Sequence, residues 1–261
     1  MKYFWAAVII GSLLLNIIAI WGFFTYIRYG GSPLGDLKRK LTGTTHQAAP
    51  SIPYADENAE LRQDIEQGTA AGNRVVFFGA SITQRWDFDR SLRPEFNIIN
   101  RGVGGQLVPG LMARFKRDVI DLEPTAVIIK FCSINIRPHM PLQVLKDGMT
   151  MMTNLAEHHD IVPIIATIIP AGKPEARIGD FNVADSLNKF NDWARRFASE
   201  HNYPLVDFAT AIGDDNGFLP RDCSVDPVHL NDKGYLILEE ALRPVLEEVV
   251  ARDREKEQAG T

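Results

Sequence analysis

Cysteine is scarce in this chain: Cys132 and Cys223 are the only two, far apart and outside any Cys-x-x-Cys pairing. That excludes a cysteine-rich zinc module and a disulfide-dense scaffold, and leaves two buried free thiols as the expectation, able to pair only in an oxidising compartment. No His-Glu-x-x-His or comparable ligand spacing occurs, and His158-His159 stands at a predicted helix end where the dipole accounts for it, so neither a metal nor a cofactor is expected. Basic excess is lacking as well. The 28 Lys and Arg are outnumbered by 33 Asp and Glu, both signs are interspersed, and no basic stripe offers a footprint for nucleic acid. There is no internal repeat and no low-complexity segment. Two familiar glycine motifs also fail. Gly-x-Ser-x-Gly breaks at Thr83, and Gly-x-Gly-x-x-Gly breaks at Leu107.

What the chain does have begins with a long apolar run. Tyr3 to Ile27 carries no charge and is interrupted only by Gly, Ser12, Asn16 and Thr25, which is long enough to span a bilayer as a helix. Trp5, Trp21, Tyr26 and Tyr29 near its ends suit the membrane interface. The run is about twice the usual core of a cleaved signal peptide, and no small-x-small cleavage site follows it, so an uncleaved anchor is expected. Its orientation has two readings. Arg28 and the Lys38-Arg39-Lys40 trio outnumber Lys2 and the amino terminus, which taken literally holds the following domain in the cytoplasm, but the trio lies well past the span. The expected division is an anchor over 1–28, a linker rich in Gly, Pro and Ser over 29–55, and a globular domain over 56–261.

Within that domain, Ala55–Gln67 is polar and helix-prone. Short apolar runs follow at Arg74–Phe78, Phe96–Asn100, Ala126–Phe131, Ile161–Ile168 and Pro204–Val206. Helical patterns lie at Leu111–Leu122, Leu142–His159, Val183–His201 and Lys233–Arg252. Nearly continuous β-branched runs such as Ile161–Ile168 suit strands covered on both faces. Strand–helix alternation predicts a parallel sheet between helical layers, with ligands bound beyond the carboxyl ends of the strands.

Chemistry-bearing residues fall where that rule puts them. Ser81 lies two residues past Gly79, at the strand-to-helix turn after the first run, where its hydroxyl is exposed and a helix N-terminus favours negative charge. A serine there also serves as an ordinary helix N-cap. Asn100-Arg101-Gly102-Val103-Gly104-Gly105 follows the second run and lets backbone N–H groups approach a ligand, or simply makes a tight turn. Asn135 follows the third run, placed to donate to an oxyanion or to stabilise a turn. Arg137, Pro138 and His139 follow the third run and so border the same site, with Arg137 and His139 as candidate substrate-binding residues. Arg137 offers a guanidinium to an anionic substrate group or stands as a solvated surface arginine. Asp226-Pro227-Val228-His229 precedes the last helix, with Asn231 as its cap. A carboxylate three residues from an imidazole can orient it as a base.

In this order, Phe-Gly-Ala-Ser-Ile-Thr, Asn-Arg-Gly-Val-Gly-Gly, a strand-end asparagine and Asp-Pro-Val-His-Leu-Asn resemble the SGNH (GDSL-like) hydrolase superfamily, over about Arg74 to Arg252. The resemblance implies a three-layer, flavodoxin-like α/β/α sandwich of about five parallel strands. It implies Ser81 as nucleophile and Asp226 and His229 as its triad partners. The oxyanion donors it implies are the Ser81 and Gly105 N–H groups and the Asn135 side chain. The implied substrate is a small-molecule, lipid or glycan ester, and the implied location is extracytoplasmic, against the literal charge count. An O-acyltransferase with the same triad, or a binding module of the same fold, are the competing functions. Two departures stand out. Ala80 replaces the usual Asp before the serine, and in the third block, usually Gly-x-Asn-Asp, Cys132-Ser133-Ile134-Asn135 offers its asparagine one residue late. Either that loop bulges to bring Asn135 inward or Ser133 substitutes.

Overall fold

The computed structural model describes residues 52–88, 92 and 95–259. The expected anchor over 1–28 and nearly all of the expected linker lie outside these residues. Among the described residues no helix is long and apolar enough to cross a membrane.

The strands form where the apolar runs predict them. They are β1 (Arg74–Gly79), β2 (Asn97–Gly102), β3 (Ala126–Lys130), β4 (Val162–Ala166) and, after a small antiparallel pair β5 (Arg177–Ile178) and β6 (Phe181–Asn182), the short β7 (Leu205–Val206). β2, β1, β3, β4 and β7 lie side by side in that order and all pair in parallel. This is the flavodoxin-type order, with its switch point between β1 and β3. Alternation along each strand divides the interior in two. Val75, Phe77 and Ile128 enter one core, with Leu238, Leu242 and Phe208 from the far side. Val76, Phe78 and Ile129 enter the other, with Leu111, Met149 and Phe190. Both faces are thus apolar and both need helical cover, which is why the strands read as unbroken hydrophobic runs.

The cover comes from α3 (Val108–Asp118), α4 (Leu142–His158) and α5 (Val183–His201) on one face. On the other stand α6 (Phe208–Ile212) and the long α7 (Asp232–Ala259). α1 (Ala55–Glu66) precedes the sheet, and the single turn α2 (Ser81–Gln84) follows β1. The helix expected over Leu111–Leu122 begins three residues earlier, because Pro109 sits in the first turn, where its fixed φ suits a helix and its missing N–H costs nothing. It stops at Asp118 because Val119 leaves helical geometry (φ −130°, ψ −66°), and a 3₁₀ turn over Ile120–Leu122 completes the segment. The β5–β6 pair was not expected from sequence, since strands of two residues carry no readable period.

Candidate functional site

The site is assembled from four loops at the carboxyl edge of the sheet. β1 ends at Gly79, Ala80 breaks the backbone direction (φ −110°, ψ −141°), and Ser81 opens α2. That turn is clamped from several sides. Ile82 and Thr83 are buried. The Tyr235 hydroxyl on α7 donates to the Ile82 carbonyl at 2.9 Å, and burial raises its phenol pKa, so it stays protonated as a donor. Asn100 Nδ2 donates to the Thr83 carbonyl at 2.8 Å, while Asn100 Oδ1 accepts from Gly102 N–H at 2.9 Å. A Cβ on Gly102 would stand 2.1 Å from Gln84 N, so only glycine lets the β2 loop press against α2. These contacts make the Ser81 turn a fixed platform.

The β2 loop then presents Gly104 and Gly105. Gly104 N–H is already taken by Gln84 Oε1 at 2.9 Å. Gly105 adopts positive φ (72°), and among the described residues its N–H has no protein acceptor. Glycine adopts that conformation without strain, and Gly105 lines the cleft with its N–H uncommitted.

Asp226 and His229 arrive from the opposite end of the chain. Asp226 Oδ1 accepts the Val228 and His229 N–H groups, each at 2.8 Å, which wraps the loop around the carboxylate. Its Oδ2 meets His229 Nδ1 at 2.8 Å, and His229 Nε2 lies 3.1 Å from Ser81 Oγ. Burial alone would raise the Asp226 carboxyl. The hydrogen bonds from the His229 ring and the two N–H groups outweigh it and hold its pKa below the ordinary carboxylate value. The loop is fixed at both ends. Gly172 N–H donates to Pro227 O at 2.7 Å, and Asn231 caps α7 by accepting from Gly234 N–H at 3.0 Å. A serine hydroxyl, an imidazole and an ionised carboxylate thus form one hydrogen-bonded line, an arrangement that can remove a proton from the hydroxyl while it attacks an electrophile.

The third loop makes a 3₁₀ turn over Ser133–Asn135. Asn135 is fully buried, with its Oδ1 accepting from Val108 N–H at 2.8 Å and its Nδ2 donating to Cys132 O at 3.2 Å. Ser133, Ile134 and Ile136 line the cleft, whose volume is about 890 Å³. Asn135 stands behind that wall, joining the start of α3 to the turn. Arg137 lines the cleft and His139, though exposed, does not. Cys132 and Cys223 are both free and buried.

Sequence reasoning missed the supports of this platform. Asn100 was visible as part of a glycine-rich motif, but its bridge between two loops depends on β1 and β2 being neighbours. Arg114 carried no signal. It sits on α3, and its Nη2 donates to the carbonyls of both Gly79 and Arg101 at 2.9 Å, tying together the ends of the two strands that bear Ser81 and Gly105.

A parallel β2-β1-β3-β4-β7 sheet with Ser, His and Asp converging beyond its carboxyl edge defines an α/β protein of the GDSL type. The sequence profile of the GDSL-like lipase/acylhydrolase family matches residues 77–237, and the chain belongs to that family. It resembles a GDSL-like lipase from Bacteroides thetaiotaomicron, at 26% identity and TM-score 0.66 over 75% of this chain and 96% of the other. It shares its fold with an acetylxylan esterase from Geobacillus stearothermophilus solved as a catalytic mutant, at 19% identity and TM-score 0.57 over 67% and 95% of the two chains. Among curated proteins it is 24% identical to the uncharacterized lipoprotein YqeF of Bacillus subtilis, over 65% of this chain and 87% of that one.

Proposed function

We propose that the chain is a membrane-tethered serine esterase that cleaves an acetyl or other acyl ester through an acyl-Ser81 intermediate. The observation that carries the reading is the line Ser81 Oγ–His229 Nε2–His229 Nδ1–Asp226 Oδ2, with steps of 3.1 and 2.8 Å. His229 takes the hydroxyl proton as Ser81 attacks the carbonyl carbon, and Asp226 holds the ring in the right tautomer and stabilises its positive form. The oxyanion faces the N–H groups of Ser81 and Gly105. Asn135, with one amide N–H on Cys132 O, joins as a third donor through its second N–H when the Ser133–Asn135 turn moves towards the cleft. His229 returns the proton to the leaving alcohol, and a water repeats the sequence to free the acid.

The division into anchor, linker and catalytic domain goes with this reading, and so does an extracytoplasmic site. The support is the uncharged run from Tyr3 to Ile27 and the naming of the Bacillus relative as a lipoprotein. Small-molecule, lipid and glycan esters are the substrate classes. The test is labelling by a fluorophosphonate, together with p-nitrophenyl acetate hydrolysis. Wild type should react, and Ser81→Ala should lose labelling and fall by at least about 10³-fold in kcat. An unlabelled wild type, or a labelled Ser81→Ala, would remove the reading. Product analysis with added polysaccharide separates hydrolysis from acyl transfer.

A further inference from the structure

Charge along the cleft beside Ser81 runs opposite to charge in the chain as a whole. Acidic residues outnumber basic ones by 33 to 28 overall, yet among the described residues the cleft is lined by Arg85, Arg137 and Arg177 against a single carboxylate, Asp226. That carboxylate is committed, since it accepts from the His229 ring and from two backbone N–H groups. It is no counter-ion for the arginines. Arg114, Arg117, Arg195, Arg243 and Arg252 all have carboxylate partners, whereas none of the three cleft arginines forms an ion pair among the described residues.

The three come from separate parts of the chain. Arg85 closes α2, its N–H on the Ser81 carbonyl at 3.0 Å, so its side chain starts one turn from the nucleophile. Arg137 follows the 3₁₀ turn after β3, and its Nε donates to Ile134 O at 2.8 Å. Arg177 belongs to β5, and its Nη2 donates to Asp180 O at 3.2 Å. For Arg137 and Arg177 that contact uses one guanidinium donor and steadies the side chain, whereas Arg85 is tied through its main-chain N–H and its side chain is exposed. A guanidinium has five N–H groups, so most of each fork is free. Apolar wall completes the cleft, from Ile134, Ile136, Ile178 and Val183. Three like charges held around one concavity repel one another and focus a positive potential in it, a cost that an anion bound among them reverses.

We propose that the ester taken by this cleft carries an anionic group, a carboxylate or phosphate held by Arg85, Arg137 and Arg177 while the scissile carbonyl lies at Ser81. The proposal rests on the esterase reading above and assigns its substrate class. Two matched substrate pairs, assayed on the full chain in neutral detergent, test it and locate the anion. p-Nitrophenyl hemisuccinate against p-nitrophenyl butyrate places the charge on the acyl side. 4-Acetoxybenzoate against its methyl ester places it on the alcohol side.

In at least one pair the anionic member should be preferred in kcat/KM by on the order of tenfold, an advantage that shrinks as salt is raised. In the triple variant R85Q/R137Q/R177Q that ratio should fall towards one, mainly through KM. A wild-type ratio near one in both pairs, or an unchanged ratio in the triple variant, overturns the proposal. The esterase reading fails separately, by absence of fluorophosphonate labelling and of all turnover. In that case calorimetric titration with monomethyl succinate reads the anion subsite directly, and weakening in the triple variant supports it whereas no measurable binding overturns it.

Discussion

Lys130 is the residue whose placement conflicts most with its chemistry. It is fully buried at the end of β3, and the contact of its Nζ is the Cys132 sulfur at 3.9 Å. Burial pushes its ammonium pKa down, and the nearby thiol offsets this only in part. A lysine whose folded pKa lies below its unfolded one leaves the unfolded chain binding more protons. Stability therefore rises as pH climbs from the folded value towards the ordinary lysine value of about 10.4. Lys130→Met removes the penalty while keeping the volume. Thermal unfolding should show a variant more stable at neutral pH by about 1 kcal/mol or more, with the rise towards alkaline pH flattened. An equal or lower Tm across that range would show that the amine is satisfied where it lies. Nothing local to Lys130 warns of this, because a lone lysine ending an apolar strand reads as a solvated edge until neighbouring elements cover it.

Among elements, α3 does the most to set the site. Its Arg114 is nearly buried and holds two strand-end carbonyls, and Arg114 Nη1 pairs with the fully buried Asp118 at 2.7 Å. Asp118 also accepts from Arg117 and from Asn58 of α1, and Asn58 in turn accepts from Arg101 of β2. One buried network thus joins α1, β2 and α3 beneath the Gly105 loop. Desolvation would raise the Asp118 carboxyl, but hydrogen bonds from Arg117 and Arg114 hold its pKa below the ordinary value. Its contribution is present above the unfolded carboxylate pKa of about 3.9 and is lost as pH falls through the lower folded value. Arg114→Leu leaves Asp118 with Arg117 and Asn58 but removes one buried ionic hydrogen bond and the donor of two buried carbonyls, and should cost about 2–4 kcal/mol in urea unfolding. Esterase activity should fall as well, because the Gly79 and Arg101 carbonyls lose their common donor. A loss below about 1 kcal/mol would mean that the network is incidental. The pattern of α3 as an amphipathic helix was legible from sequence, but its ion pairs were not, since Arg114 and Asp118 spaced four apart describe an exposed helix face equally well.

For the whole molecule, the residues that form both cores lie between Val75 and Val250. A chain of residues 53–261 should therefore unfold in urea as one cooperative transition, with CD of a mixed α/β protein, and the full chain should sediment with membranes and resist alkaline carbonate extraction. Several transitions, or release by carbonate, would contradict the proposed division. Sequence alone determined the fold class, because hydrophobic period and β-branched runs are local and each strand carries its own two-sided burial. It also picked out Ser81, Gly105, Asp226 and His229 as candidates, because turn glycines and a short Asp-x-x-His spacing are local features. The tertiary structure decided which candidates meet. Ser81 and His229 are 148 positions apart and touch only because β1 and the loop before α7 end at the same sheet edge. Tertiary structure also set Asn135 behind the cleft wall and gathered three distant arginines into the cleft, since side chains remote in sequence become neighbours only through the order in which the strands pack.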